Sequence, residues 1–289
     1  MTRAFSESFH FLDLADGPRF AIVTHPSSQS TGTGVLLCNG GWFAGNWNFN
    51  RMYVTLARAL AEKGHTVVRF DWYGSGESPG YVDRFQLSKP SGEDVLSAAA
   101  LLEGSDRIIG AGVCFGAASL ISAADRIKGL EGVVLVGAVV HGGVPRTPVR
   151  QISAGSLLGS ALRPEIARGW FDPYTRRLYL KWFRVRLRGA LRRLSPRVRI
   201  VNQPLDPQPI VTQLRDLAQT GIRIQFLYGE GDSSLSAFSR PPVAELSAFE
   251  NVRVKVVPFD VASSSSLGAQ QETSRAIAEI VESVTRVGN

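Results

Sequence analysis

The sequence predicts an α/β protein whose mostly parallel central sheet carries helices on both faces and is interrupted by a helical insertion. Short apolar strands alternate with helices up to about residue 140. The alternation stops between Gly142 and about Gln208, where no convincing strand is visible, and then resumes with two more strands. Glycine-rich turns follow several strands directly, which suits the carboxyl edge of such a sheet.

The elements follow in order. Phe9–Leu14 and Phe20–Thr24 flank Ala15-Asp16-Gly17 and read as a hairpin. Gly34–Cys38 is a strand that enters the turn Asn39-Gly40-Gly41, and Tyr53–Lys63 is a helix stopped at Gly64 by a left-handed cap. Val67–Phe70 is the next strand, Gly92–Leu102 a helix, Arg107–Gly112 a strand, Ala117–Ala124 a small-residue helix and Val133–Val140 a strand. After the insertion come the helix Ile210–Thr220, the strands Ile222–Tyr228 and Val252–Val257, and a last helix Gln271–Val284. The expected organisation is a core of residues 1–142 and 209–289 with a helical cap at 143–208, inserted after the sixth strand.

A chain of 289 residues with 44% hydrophobic and 20% charged residues can bury a large core. Two Cys cannot staple it, and no Cys/His cluster has zinc spacing, so reduced thiols, no metal and a cytoplasmic setting are expected. The amino-terminal residues carry no signal-peptide pattern, and no apolar segment is long enough to span a bilayer.

The net charge of +7 is local. Between Arg163 and Arg199 twelve Lys and Arg face only Glu165 and Asp172, a net +10 that leaves −3 on the remainder. From Thr175 to Leu194, Leu178, Trp182, Val185 and Leu191 gather toward one helix side while Arg176, Arg177, Arg184 and Arg188 cover the other. This reads as a cap helix packed on the core with solvated arginines. The alternative is a cationic lid that touches an anionic membrane surface or receives an acidic substrate or carrier. No nucleic-acid partner is expected, because no helix-turn-helix or RNA-binding sheet motif accompanies the charge.

The motif richest in chemistry is Gly112-Val113-Cys114-Phe115-Gly116, between a strand and a small-residue helix. It has the pattern of a nucleophile elbow with Cys in place of the commoner Ser. Glycines permit the tight turn, the helix amino terminus is expected to lower the thiol pKa, and the Phe115 N–H would stabilise an oxyanion. The competing reading makes Cys114 a small buried apolar residue in a glycine-rich turn.

Asn39-Gly40-Gly41, Asn50-Arg51-Met52-Tyr53 and Val68-Arg69-Phe70-Asp71-Trp72-Tyr73-Gly74-Ser75-Gly76-Glu77-Ser78-Pro79-Gly80, with the elbow, resemble the α/β-hydrolase superfamily. Within it they look most like hydrolases associated with exosortase systems, which often carry Cys at the elbow and an aromatic-basic cap helix similar to Tyr179–Arg184. The resemblance implies the α/β-hydrolase fold and acyl chemistry at Cys114. It also implies an oxyanion donor at Gly41 or Trp42 beside Phe115, and a triad acid at Asp232. Asp71 and Ser78 read as structural turn residues. Phe43, Trp47, Trp170 and Trp182 are expected to line an apolar substrate pocket under the cap.

The family's base is a His in the loop after the last strand, typically in an Asp-His pair. That loop here is Val257-Pro258-Phe259-Asp260-Val261-Ala262, and no His lies beyond residue 141. His10 and His25 fall on the hairpin and His65 at the opposite end of the sheet. His141, directly after the sixth strand, is the candidate replacement base; otherwise it is a rim histidine bonded to backbone. Three functions stay open. The first is a cofactor-free, Cys-dependent hydrolase or acyltransferase, cyclising in one variant, that acts on a free or carrier-bound acyl ester or thioester. The second is a catalytically dead binding protein, and the third a non-covalent lyase, isomerase or cyclase.

Overall fold

The computed structural model describes residues 4–41, 45–48, 51–80, 89–140, 208–230, 232, 234–257 and 267–287. The chain divides into one unit of Met1–Val144 with Leu205–Asn289 and a second of Pro145–Pro204. The second unit lies outside the described residues, with the predicted cap.

Eight strands form one sheet: β1 (Phe5–Leu12), β2 (Arg19–Pro26), β3 (Thr33–Cys38), β4 (Thr66–Phe70), β5 (Arg107–Val113), β6 (Leu130–Val136), β7 (Arg223–Gly229) and β8 (Val252–Val257). Their spatial order is β1-β2-β4-β3-β5-β6-β7-β8. β2 runs antiparallel to both β1 and β4, and every pairing from β4 to β8 is parallel. Among the described residues five α-helices accompany them: α1 (Met52–Glu62), α2 (Gly92–Ala100), α3 (Phe115–Ala123), α4 (Gln208–Gln219) and α5 (Leu267–Val287).

The alternation of side chains along each strand explains the two-sided core. Leu36 and Cys38 of β3 face one way, with Val68 and Phe70 of β4, and meet Val95, Ala98, Leu120, Leu214 and Leu217 of α2, α3 and α4. Val35 and Leu37 face the other way and meet Leu56 and Leu60 of α1 and Ile277 and Val281 of α5. Each such aliphatic side chain contributes about 1.5–3 kcal/mol when fully buried.

Helix α1 ends as expected at Gly64, whose φ of 93° suits glycine. The Gly64 N–H donates to the Ala61 carbonyl and the His65 N–H to the Leu60 carbonyl, so two terminal acceptors are satisfied in a Schellman arrangement. β1 begins four residues earlier and ends two residues earlier than predicted, and β2 extends beyond the predicted strand by one residue at its start and two at its end. β6 begins three residues earlier than predicted and ends four residues earlier, because Gly137, at φ 56°, turns the chain after Val136. His141 therefore follows a turn and the buried residues Ala138 and Val140, not a strand end.

Candidate active site

The carboxyl ends of β3, β5, β6 and β7 lie side by side, and they position the candidate residues. At the end of β5, Cys114 has φ 49° and ψ −106°, a sparsely populated conformation for a residue with a side chain. The surroundings hold it there. The Cys114 N–H donates to the Val136 carbonyl at 2.9 Å, and its carbonyl accepts the Ala118 N–H at 3.2 Å inside α3. A Cβ on Gly112 would sit 2.6 Å from the Ala117 nitrogen, and one on Gly116 would overlap the carbonyl oxygens of Cys38 and Asn39. Both glycines of the motif are therefore required by backbone approach. Trp72 packs edge-on against Phe115, with centroids 5.1 Å apart, and fixes the first turn of α3.

The Phe115 N–H donates to the Cys114 sulfur, as a helix amino terminus should, and this lowers the thiol pKa. Burial opposes it more strongly, and the nearby Asp232 carboxylate adds to the opposition, so the Cys114 thiol titrates above its ordinary value. This corrects the expectation of a thiol activated by the helix alone: at neutral pH the resting side chain is the protonated thiol.

Asp232 stands after β7. Its carboxylate accepts the Gly229 N–H at 2.8 Å, and its backbone carbonyl accepts the Leu235 N–H, so it shapes the turn, while its charge acts on the Cys114 thiol. Its charge, secondary to burial, also raises the Tyr228 hydroxyl pKa. Tyr228 donates to the Ala138 carbonyl at 2.7 Å, and the Gly137 N–H donates to the Leu227 carbonyl at 2.9 Å, which pins the segment leading to His141. His141 itself lies outside the described residues.

At the first turn, Asn39 Oδ1 accepts the Gly41 N–H at 3.1 Å and the Trp72 indole N–H at 2.5 Å, while Asn39 Nδ2 donates to the Phe70 carbonyl at 3.0 Å. The Gly41 amide is thus spent on its own turn, and of the two predicted donors there the other, Trp42, lies outside the described residues. Phe43, Trp170 and Trp182 also lie outside them. Trp47 is described: its ring is exposed and folds over Gly45, where a Cβ would lie 2.7 Å from it.

Asp71 is fully buried and accepts from the Asn46 amide, from Asn46 Nδ2 at 2.9 Å and from the Glu77 N–H at 2.9 Å. Ser78 Oγ donates to the Asp71 carbonyl and accepts the Phe20 N–H. Both act as the structural turn residues they resemble. Sequence reasoning missed Asn39 and Tyr53, whose hydroxyl donates to the Cys38 carbonyl at 3.0 Å, as holders of the turn after β3. The buried position of each in or beside the glycine turn was the available signal. His10 and His25 lie on the hairpin, and the buried His65 meets Thr31 Oγ1 at 2.8 Å, with its pKa lowered mainly by burial. None of these three is near Cys114. A groove of about 670 Å³ lined by Leu96, Leu102, Asp106 and Lys128 sits at the amino end of β5, away from this site.

The fold has counterparts in solved structures. A proline iminopeptidase of Mycobacterium smegmatis is 17% identical with TM-score 0.55, the match covering 98% of this chain and 100% of that one. The Pyrococcus furiosus esterase Pf2001 is 14% identical with TM-score 0.57, over 96% and 92% of the two chains. Brefeldin A esterase, a bacterial homologue of human hormone-sensitive lipase, is 17% identical with TM-score 0.56, over 99% and 79%. At these identities the likeness is one of fold. Comparison with curated proteins returns no match. Residues 35–272, which contain the glycine turn, the elbow and Asp232, match the alpha/beta hydrolase family. This chain belongs to that family.

Proposed function

We propose that the protein is a Cys114-dependent acyl hydrolase or acyltransferase acting on an ester or thioester. The observation that carries the reading is the strained Cys114 backbone, with the Phe115 N–H on its sulfur and Asp232 beside it. A cysteine with a merely structural role has no need of that conformation.

Because burial keeps the thiol protonated, attack requires a proton acceptor at the moment of reaction. We assign that role to His141, which follows the segment clamped by Tyr228. Sulfur bonds to the acyl carbon as its proton passes to the imidazole, and the carbonyl oxygen becomes an oxyanion, for which the Phe115 N–H, released from the sulfur as it is acylated, and the Trp42 amide are the proposed donors. Collapse expels the alkoxide or thiolate, which takes the proton back and leaves an acyl-Cys114 thioester. Water completes hydrolysis; a hydroxyl, amine or thiol of a bound acceptor completes transfer or cyclisation. The exosortase-associated subtype fits the Cys at the elbow, and Phe43, Trp47, Trp170 and Trp182 are the proposed apolar contacts of the acyl group.

The test is intact-mass analysis after exposure to activated acyl esters. A single acyl adduct on the wild type, absent in Cys114→Ala, is expected, with turnover lost in both Cys114→Ala and His141→Gln. Turnover that survives Cys114→Ala overturns the covalent reading and favours non-covalent chemistry.

A further inference from the structure

Away from the catalytic end, β1 and β2 hold an arrangement that neither the fold nor the acyl chemistry uses. Ser8 Oγ lies 2.8 Å from His10 Nε2 and 3.0 Å from His25 Nε2. His10 and Ser8 are on the same face of β1, and His25 reaches them from β2, where it stands directly opposite Ser6. All three side chains are half-buried. The hairpin beneath them is paired without a break over eight residue pairs, from Phe5 with Pro26 to Leu12 with Arg19, so the two imidazoles are presented by a rigid support.

A hydroxyl has one proton to give. It can donate to one imidazole nitrogen, and it must then accept N–H from the other. The neutral pair is therefore held in opposite tautomers around a single oxygen. A metal ion removes that asymmetry, because it accepts the Nε2 lone pairs of both rings while each ring keeps a proton on Nδ1. The proton that one ring gave to Ser8 moves to its own Nδ1, so neutral rings release none on binding.

We propose that His10 and His25 form a surface site for a divalent transition metal, with Ser8 Oγ or water beside the two imidazole nitrogens. Imidazole favours Cu2+, Ni2+ and Zn2+ over Mg2+ and Ca2+, and among the former Cu2+ binds tightest. Among the described residues no group of three or more His, Cys, Asp or Glu gathers around a metal position, so this is a pair completed by oxygen. Both nitrogens already converge on one atom, the Ser8 hydroxyl oxygen.

The test uses the full chain freed of any affinity tag, in a non-coordinating buffer, with Cys114→Ala as background so that the thiol does not reduce copper. Titration with Cu2+ alone, followed by electron paramagnetic resonance, is expected to show one saturable ion per chain with two nitrogen ligands. His10→Gln and His25→Gln should each remove one nitrogen from the spectrum and weaken binding, while His65→Gln changes neither. Binding should weaken on acidification, because an imidazolium has no lone pair to offer the metal. An unchanged spectrum in folded His10→Gln and His25→Gln, or no saturable binding at neutral pH, overturns the proposal. Circular dichroism of the variants establishes that they are folded.

Discussion

Cys114 shows how two effects of opposite sign are decided. One amide at a helix amino terminus stabilises a thiolate, but removal of solvent from the same sulfur and a carboxylate nearby outweigh it. Alkylation of Cys114 by iodoacetamide is therefore expected to rise with pH around a midpoint above that of an exposed cysteine, about 8.5. Asp232→Asn should move that midpoint downward, because the carboxylate contributes to the raised value. A midpoint below that of free cysteine would contradict this balance. Gly116 gives a second residue-level prediction. Gly116→Ala places a methyl group against the backbone of Cys38 and Asn39, which cannot rotate away. It should cost about 1–3 kcal/mol or more in urea unfolding and abolish acylation. The elbow was legible because glycine spacing and a strand-to-helix change report local backbone needs. The thiol pKa was not, since it depends on burial and on a carboxylate more than a hundred positions away.

The hairpin is attached through charge. Glu7 of β1 accepts from Arg58 of α1 at 2.9 Å and from Arg69 of β4 at 3.2 Å, and Arg69 is itself buried and reaches Asn46. On the other face, buried Arg19 of β2 pairs with Asp94 of α2 at 3.0 Å and with Asp16, and its guanidinium lies over the Tyr73 ring. Glu7→Gln should destabilise the protein by about 1–3 kcal/mol at neutral pH, since it leaves buried Arg69 poorly matched. The pairing with Arg58 holds the Glu7 pKa below its ordinary 4.5. Its stabilisation is therefore complete above pH 4.5 and is lost as pH falls from there through the folded value. The stability–pH curve of Glu7→Gln should lack that component, as followed by denaturant midpoints between pH 6 and pH 3. These attachments were invisible in the sequence, which marked the hairpin only by its turn. Strand-to-helix ion pairs over tens of residues follow from strand order, and no local pattern encodes them.

At the level of the molecule, the sheet is stable only with both faces covered. Ala276, Ile277 and Val281 of α5 are buried against the face that α1 also covers, and Lys63, directly after α1, pairs with Glu282. Ile277→Ala should cost about 2–5 kcal/mol in chemical denaturation. Removal of residues 267–289 should leave a chain with native-like far-ultraviolet dichroism but no near-ultraviolet signal. Most of this architecture was readable. Val35-Leu36-Leu37 and Val133-Val134-Leu135 are continuous apolar runs, as strands buried on both faces must be, and helices stand between them. Strand ends were less legible: Val140 is as buried as a strand residue, and only the turn at Gly137 separates it from β6.

That turn bears on descent. The chain leaves the sheet toward the insertion through Gly137 and Ala138, both tied to β7 by the Gly137 N–H and the Tyr228 hydroxyl. The stem is anchored before the insertion begins. The predicted cap at 143–208, which begins beyond both this stem and His141, can then be lengthened, shortened or replaced without disturbing the strands that lead to Cys114 and Asp232. On the proposed reading, substrate preference would then diverge in that segment while the chemistry of Cys114, His141 and Asp232 is inherited unchanged.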